Sequence, residues 1–438
     1  MSYFILMIIV FILGYCCIAL EHPLKINKSA TALLLAVFLW TIYALFSGMY
    51  NHEELVLHLG ETSEIVFFLL GAMTIVELID RHNGFAIITD NITTKNKRKL
   101  LWTISLLTFF MSAVLDNMTS AIVMCALLRK LIADKKDRWF FCGIVILAAN
   151  SGGAWSPIGD VTTIMLWIKG NITATKIILE TFLPSLVSLL VPLTVITFML
   201  KGEVVRPEGT IEKKETTLNK KQSNIIFFIG VASLLFVPIF KTITHLPPYL
   251  GILFGLGLMW VVTEIMHKTN KENYQRLNVS AVLSKVDVSS VLFFLGILMA
   301  VACLQSAGHL KLLSESLDKI GNIYAINLII GVLSSVIDNV PLVAAAMGMY
   351  PIASAEMVAA NPDLIHFVTD GAFWEFLAYC AGTGGSILII GSAAGVAIMG
   401  MEKIDFIWYL KKISLWALLG YFAGGGVFIL ISRFILHT

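Results

Sequence analysis

Apolar residues run along this chain in blocks of about 17 to 25, the length of helix that crosses roughly 30 Å of hydrocarbon. Read this way, the pattern predicts spans over residues 3–20, 30–48, 63–80, 139–168, 177–200, 224–241, 249–267, 288–306, 375–400 and 413–435. Two other apolar stretches, 100–128 and 322–350, each carry an Asp-Asn pair near the middle, Asp116-Asn117 and Asp338-Asn339. An unpaired aspartate at that depth costs at least a few kcal/mol, so both pairs call for an explanation.

The loops supply one. Residues 80–100 contain Arg81, Lys95, Lys97, Arg98 and Lys99, and residues 129–138 contain Arg129, Lys130, Lys135, Lys136 and Arg138. Basic loops stay cytoplasmic, so the 100–128 stretch enters and leaves on one side and is expected to be a re-entrant hairpin. The segment 350–372 has no Lys or Arg, and the loop before the second stretch is balanced (Lys311, Glu315, Asp318, Lys319). The second hairpin is therefore expected to open outside. Counting spans puts both termini outside and the Lys-rich 201–223 segment inside, as a linker between a first half, 1–200, and a second, 224–438.

The halves resemble each other. "VFFLLGAMTIVELID" (66–80) matches "VLFFLGILMAVACLQ" (291–305), "SAVLDNMTSA" (112–121) matches "SSVIDNVPLV" (334–343), and "NSGGAWSPIGD" (150–160) matches "GTGGSILIIGS" (382–392). Equivalent spans then run in opposite directions. The expected fold is an all-α polytopic membrane protein, an inverted-topology repeat with about ten spanning helices, two re-entrant hairpins and two broken helices. Composition agrees: 438 residues, 58% hydrophobic and 14% charged, is more apolar surface than a soluble chain can hide. A net charge of +2 argues against a nucleic-acid partner. The six cysteines lie in apolar stretches without metal-ligand spacing and read as reduced packing residues. The first apolar run has no basic region before it and no cleavage site after it, so it reads as a span, not a signal peptide.

Four segments break the helical pattern. Asp and Asn tolerate turns and open new helices at the two tips. The stretch 139–168, about 45 Å if it were one helix, is too long for the bilayer; Gly152, Gly153 and Pro157 allow it to unwind. Freed carbonyls there, with Ser151, Ser156, Asp160, Thr162 and Thr163, offer oxygen ligands to a small hard cation. Thr119 lies beside the first tip, and Thr383, Ser386 and Ser392 are the second half's counterparts. Asp116, Asp160 and Asp338 bring up to three negative charges, with no Lys or Arg inside the four segments. Such a cluster attracts a cation or binds protons. The plainer alternatives are a structural turn for the tips, a half-helix cap for Asp160, and backbone satisfaction for each Ser and Thr. Glu77 is expected to pair with Arg81 at i+4, and Glu64 and Glu375 to offset helix N-termini at the outer surface.

With these residues in view, the chain resembles the NhaD-type sodium/proton antiporters of the ion transporter superfamily, through "SEIVFFLLGAMTIVELID", "DNMTSAIVM", "SGGAWSPIGDVTT" and "DNVPLVAAAMGM". The resemblance implies exchange of Na⁺ or Li⁺ for H⁺ in a bacterial inner membrane, by a homodimer with scaffold and transport domains. It implies no resident cofactor beyond the transported ions. Related dicarboxylate carriers bear neutral Ser-Asn-Thr tips, whereas Asp116 and Asp338 stand here at the Ser positions. The expected site is Na⁺ at Asp116, Asp160 and Asp338, supported by Asn117 and Asn339, with protons competing for the same carboxylates. A sodium-coupled anion carrier and an intramembrane aspartyl protease using Asp116 and Asp160 are the rival readings.

Overall fold

A computed structural model describes residues 3–89, 92–207, 219–268 and 277–434. Among the described residues the regular structure is helical, apart from one isolated bridge between Asn96 and Glu203. The first half comprises α1 (Tyr3–Ala19), α2 (Lys28–Phe46), α3 (His52–Arg81), α4 (Lys97–Leu115), α5 (Asn117–Leu131), α6 (Lys135–Gly153), α7 (Val161–Ile168) and α8 (Ala174–Met199). The second comprises α9 (Lys220–Thr244), α10 (Pro248–His267), α11 (Val288–Ser306), α12 (His309–Leu317), α13 (Ile323–Leu333), α14 (Asn339–Met349), α15 (Ala372–Gly384), α16 (Ala393–Glu402) and α17 (Ser414–Phe434).

The caps divide by depth. Asparagine side chains open α2, α3, α4, α9 and α13 by accepting amide hydrogen bonds. The helices that begin inside the bundle, α5, α7, α14 and α16, are opened by Asp116, Asp160, Asp338 and Ser392. Each such cap contributes about 1 kcal/mol to its helix. At these four positions it also fixes where a carboxylate or hydroxyl sits.

Eight helices among the described residues are long and apolar enough to span by themselves, and α4 is one of them. Yet α4 does not span. Lys97 donates its amide to Gly202 (3.2 Å), Val204 to Lys95 (2.8 Å) and Ala133 to Val205 (2.8 Å). One short segment, 202–205, thus binds the chain just before α4 and just after α5, so both ends of the hairpin lie on one face. The second hairpin is closed at its own base, where the Tyr350 hydroxyl donates to Asp318 (2.9 Å). Near that base, Asp370 donates its amide to Asn171 at the end of the first broken span (2.9 Å). The first broken span starts beside the base of the first hairpin, where Lys97 pairs with Asp137 (2.6 Å), and ends beside that of the second. The hairpins therefore enter from opposite faces.

Setting the arms α4 and α5 aside, and adding the 17-residue α1 and the two broken spans α6/α7 and α15/α16, restores the expected ten crossings. Differences are local. The helix expected over 63–80 begins at His52, because its polar first turns continue beyond the membrane edge. The loop before the second hairpin contains α12, bent by 119° from α13 with the turn after it. Residues 208–218 of the expected linker lie outside the described residues.

The halves repeat their packing as well as their order. Ser112 Oγ donates to the Ala149 carbonyl (2.5 Å), and Ser334 Oγ donates to that of Ala381 (2.9 Å). A Cβ on Gly152 would overlap the Phe109 carbonyl, and one on Gly384 would overlap that of Gly331. Glycine is therefore required where each broken helix passes a hairpin arm. Outside, large apolar side chains stay uncovered, Phe198 to 75% and Ile265 to 71%. On a water-facing surface this would be a liability; against lipid tails it is the expected exterior.

Candidate functional site

The chain between Gly153 and Val161 unwinds around Pro157, and the chain between Gly384 and Ala393 does the same. The two hairpin tips reach these breaks. Asp160, almost fully buried, stands at the junction. Its Oδ1 accepts from the Thr162 amide (2.9 Å) and the Thr162 hydroxyl (2.7 Å), which caps α7. The Asn117 amide of the first tip donates to Oδ2, and the Asn339 amide of the second tip donates to Oδ1 at 3.4 Å. One carboxylate from a broken span therefore holds an asparagine from each hairpin.

Asn150 completes the knot, and the sequence reading had passed over it. Fully buried at the end of α6, it accepts from Asn117 (3.1 Å) and donates to Ser386 and Ser392 (both 2.9 Å). It joins the first break to the second. A signal was present: the aligned position in the other half is Gly382, so an amide stands where the repeat has no side chain.

The other two aspartates lie apart from this knot. Asp116 Oδ1 accepts from the Thr119 amide (2.8 Å) and Oδ2 from the Thr119 hydroxyl (2.7 Å). It faces a cavity of about 60 Å³ walled by Leu69, Met73, Ser290 and Phe294. Asp338 accepts from the Val340 amide (3.2 Å) and pairs with the Lys28 ammonium (3.4 Å). The four segments themselves hold no Lys or Arg, as expected, yet a cation reaches them from outside. Lys28 lies outside the four unwound segments, on the first turn of α2, and the fold brings it to the second tip. Among the described residues no group of three His, Cys, Asp or Glu is spaced to hold a metal, so a cation at any of these aspartates would take its other ligands from amide, hydroxyl and carbonyl oxygens.

The hydroxyl residues divide. Ser386 and Ser392 join the knot, and Thr162 and Thr119 serve their aspartates. Thr163 donates to the Asp160 carbonyl (2.8 Å) as part of the capping box. Ser156 donates to the Ala113 carbonyl (2.5 Å), tying the break to α4. Ser151 accepts from Ser188 of α8 (2.9 Å), and Thr383 donates to the Tyr379 carbonyl of its own helix (2.6 Å). These last contacts are structural. Glu77 pairs with Arg81 as expected (2.8 Å). Glu375 lies in the first turn of α15 as expected, but it is fully buried and not at a surface, and Glu64 lies well inside α3 and not at its start.

A larger cavity of about 310 Å³ opens between α3, α7, α11 and α14 on the face where the second hairpin is based. His58, Glu61 and Lys169 line it, with Glu61 paired to Lys169 and 3.4 Å from His58. Met165, on the wall, is little more than a helical turn from Asp160.

Comparison with known proteins bears on these features. A family model described as citrate transporter (CitMHS) matches residues 6–369. The chain is 47% identical to sodium/proton antiporter 1 of Arabidopsis thaliana over 434 residues, 98% of this chain and 72% of that one. It is 45% identical to sodium/proton antiporter 2 of the same plant, over 98% of this chain and all of the other. It is 30% identical to the Na⁺/H⁺ antiporter NhaD of Vibrio cholerae, over 94% of this chain and 89% of that one. Among solved structures, the YdaH transporter of Alcanivorax borkumensis matches in fold alone, with a TM-score of 0.57 at 11% identity over 93% of this chain and 98% of that one. The chain belongs to the NhaD-type sodium/proton antiporters, a group within the wider family that the citrate-transporter model describes.

Proposed function

We propose that this protein exchanges Na⁺ or Li⁺ for H⁺ across the membrane, and that cation and proton compete for Asp116, Asp160 and Asp338. The observation that carries this reading is Asp160, a buried carboxylate hydrogen-bonded to an asparagine from each of two opposed hairpins. The names of the relatives agree with it. A cation that takes the Asp160 carboxylate draws on the same oxygens that hold Asn117 and Asn339, and a proton uses one of them. Occupancy by either excludes the other, which couples the two fluxes provided the empty charged site does not cross. The hairpin-bearing elements would shift against the remaining spans, as in other inverted-repeat carriers. The charge bias of the loops supports external termini, and the resemblance proposes a bacterial inner membrane and a homodimer.

The rival readings draw no support from the site. A substrate carboxylate would meet three aspartates with, among the described residues, Lys28 as the basic side chain paired to one of them. For peptide cleavage, Asp116 and Asp160 would have to act as a dyad, yet each is turned to the cap of its own helix.

The test is proton flux in proteoliposomes carrying a pH-sensitive dye, with Na⁺, Li⁺ and K⁺ added in turn. Sodium-driven flux that vanishes in both Asp116→Asn and Asp338→Asn is the expected result. Wild-type flux from both variants would overturn the shared-carboxylate mechanism. Counterflow of a labelled dicarboxylate would revive the anion carrier.

A further inference from the structure

Lys28 is at odds with its position. A basic residue in the first turn of a helix faces the positive end of the helix dipole, an arrangement that normally costs stability. Here the turn is nevertheless well held. Asn27 caps it (2.8 Å to the Ser29 amide), and Ser29 donates to the Ser289 carbonyl (2.6 Å), which fastens α2 to the start of α11. The close approach of Gly296 to the Ala32 backbone locks the same pair of helices further along. The Lys28 ammonium rests 4.3 Å above the Phe293 ring of α11 and reaches Asp338 on the second hairpin. The cation is thus carried by the α2/α11 platform and the anion by a re-entrant tip.

The contact is a loose one. Ion-assisted hydrogen bonds settle at about 2.7–2.9 Å, whereas this one is 3.4 Å, with one ammonium–oxygen contact. The Asp338 carboxylate is also the least satisfied of the three: among the described residues it accepts, beyond Lys28, one hydrogen bond, from the Val340 amide at 3.2 Å, while its backbone is hydrogen-bonded to the Tyr15 hydroxyl. Asp116 and Asp160 are held by shorter bonds from their neighbours. A weakly held carboxylate with a cation leaning on it from a separate platform is a seat whose occupant can be exchanged.

We propose that Lys28 is the resident counter-cation of Asp338, displaced when a transported alkali cation takes that carboxylate. This rests on the reading of Asp338 as part of the transport site. Because Lys28 is fixed to α2, it cannot travel with the hairpin. It therefore competes with the incoming ion and holds the tip to the platform while the seat is empty. If the pair is closed nine times in ten, the apparent affinity for the ion is lowered about tenfold, the inverse of the free fraction.

The test is Na⁺ binding to the full-length protein in detergent at alkaline pH, by calorimetry, beside the Na⁺ dependence of proton flux in proteoliposomes. Lys28→Gln is expected to bind Na⁺ about tenfold tighter and to show a correspondingly lower KM. Lys28→Arg, which keeps the charge and adds a fork that suits a carboxylate, should bind Na⁺ no tighter than wild type. The direction is diagnostic, because a merely structural lysine would weaken binding when removed. Unchanged or weaker binding by Lys28→Gln in a protein that still exchanges ions would overturn the proposal. If Lys28→Gln does not fold, Lys28→Met is measured in its place against the same expectation. Asp338→Asn separates the two readings. Should it bind Na⁺ as wild type does, Asp338 is not the seat and the underlying reading fails; should it lose binding while Lys28→Gln is unchanged, the lysine proposal alone fails.

Discussion

The two hairpin tips carry the same Asp-Asn pair and hold the aspartate in different ways. Asp116 sits at φ +83° and ψ 158°, a region used almost solely by glycine and costing about 1–3 kcal/mol elsewhere. Two bonds from Thr119 keep it there. Asp338 sits at φ −47° and ψ 135°, without such strain, and has one backbone donor and Lys28. The residue three places on makes the difference: Thr119 brings a hydroxyl and an amide hydrogen, and Pro341 has neither. A duplicated motif has diverged into a self-contained, strained anion and one that borrows its partner from elsewhere in the fold. The asparagines have not diverged, since both reach Asp160.

The strongest break of this comparison is to remove what the tips share. Asp160→Ala leaves the Asn117, Asn339 and Thr162 donors bare at about 1–3 kcal/mol each, so a large fall in thermal stability and loss of sodium-driven flux are expected. Flux at the wild-type level would show that the tips work without a common anchor. Next comes Asn150→Ala, which takes one hydrogen-bond partner from each of Asn117, Ser386 and Ser392 and is expected to cost about 2 kcal/mol in unfolding measurements. A smaller effect is expected from Thr119→Val, which removes one hydrogen bond to a carboxylate, worth about 1.5 kcal/mol. It should raise the KM for Na⁺ if the pose of Asp116 matters to binding, and an unmoved KM would reduce the strained tip to scaffolding. Least of all is Thr383→Ala: its hydroxyl is engaged with the Tyr379 carbonyl, so about 1 kcal/mol of stability and no change in KM are expected.

Much of the architecture was legible because the membrane restricts what a chain can do. Apolar blocks, loop charge and Gly-Gly breaks each answer to one dominant cost, that of unsatisfied polar groups in hydrocarbon. Asp116, Asp160, Asp338 and the two asparagines stood out for the same reason. What escaped were residues whose meaning depends on a distant partner. Lys28 looks like an ordinary interfacial lysine until the fold sets it beside a residue 310 positions away. Asn150 was hidden inside a motif read for its glycines. Ser151 and Thr383 were legible as oxygen donors, but the partner each one bonds is decided by packing: Ser188 of α8 for the first and the Tyr379 carbonyl of its own helix for the second.

The segment 202–205 that closes the base of the first hairpin has a consequence for synthesis. It is translated only after α6, α7 and α8, roughly 70 residues behind the end of α5, which at about 5–20 residues per second is a wait of around 4 to 14 seconds. Until then the base of the hairpin has the Lys97–Asp137 pair without the backbone seam of 202–205, and α4 is apolar and long enough to be inserted as a span. The ribosome therefore delivers the clasp last, and the hairpin's topology is secured only once the first half has been completed.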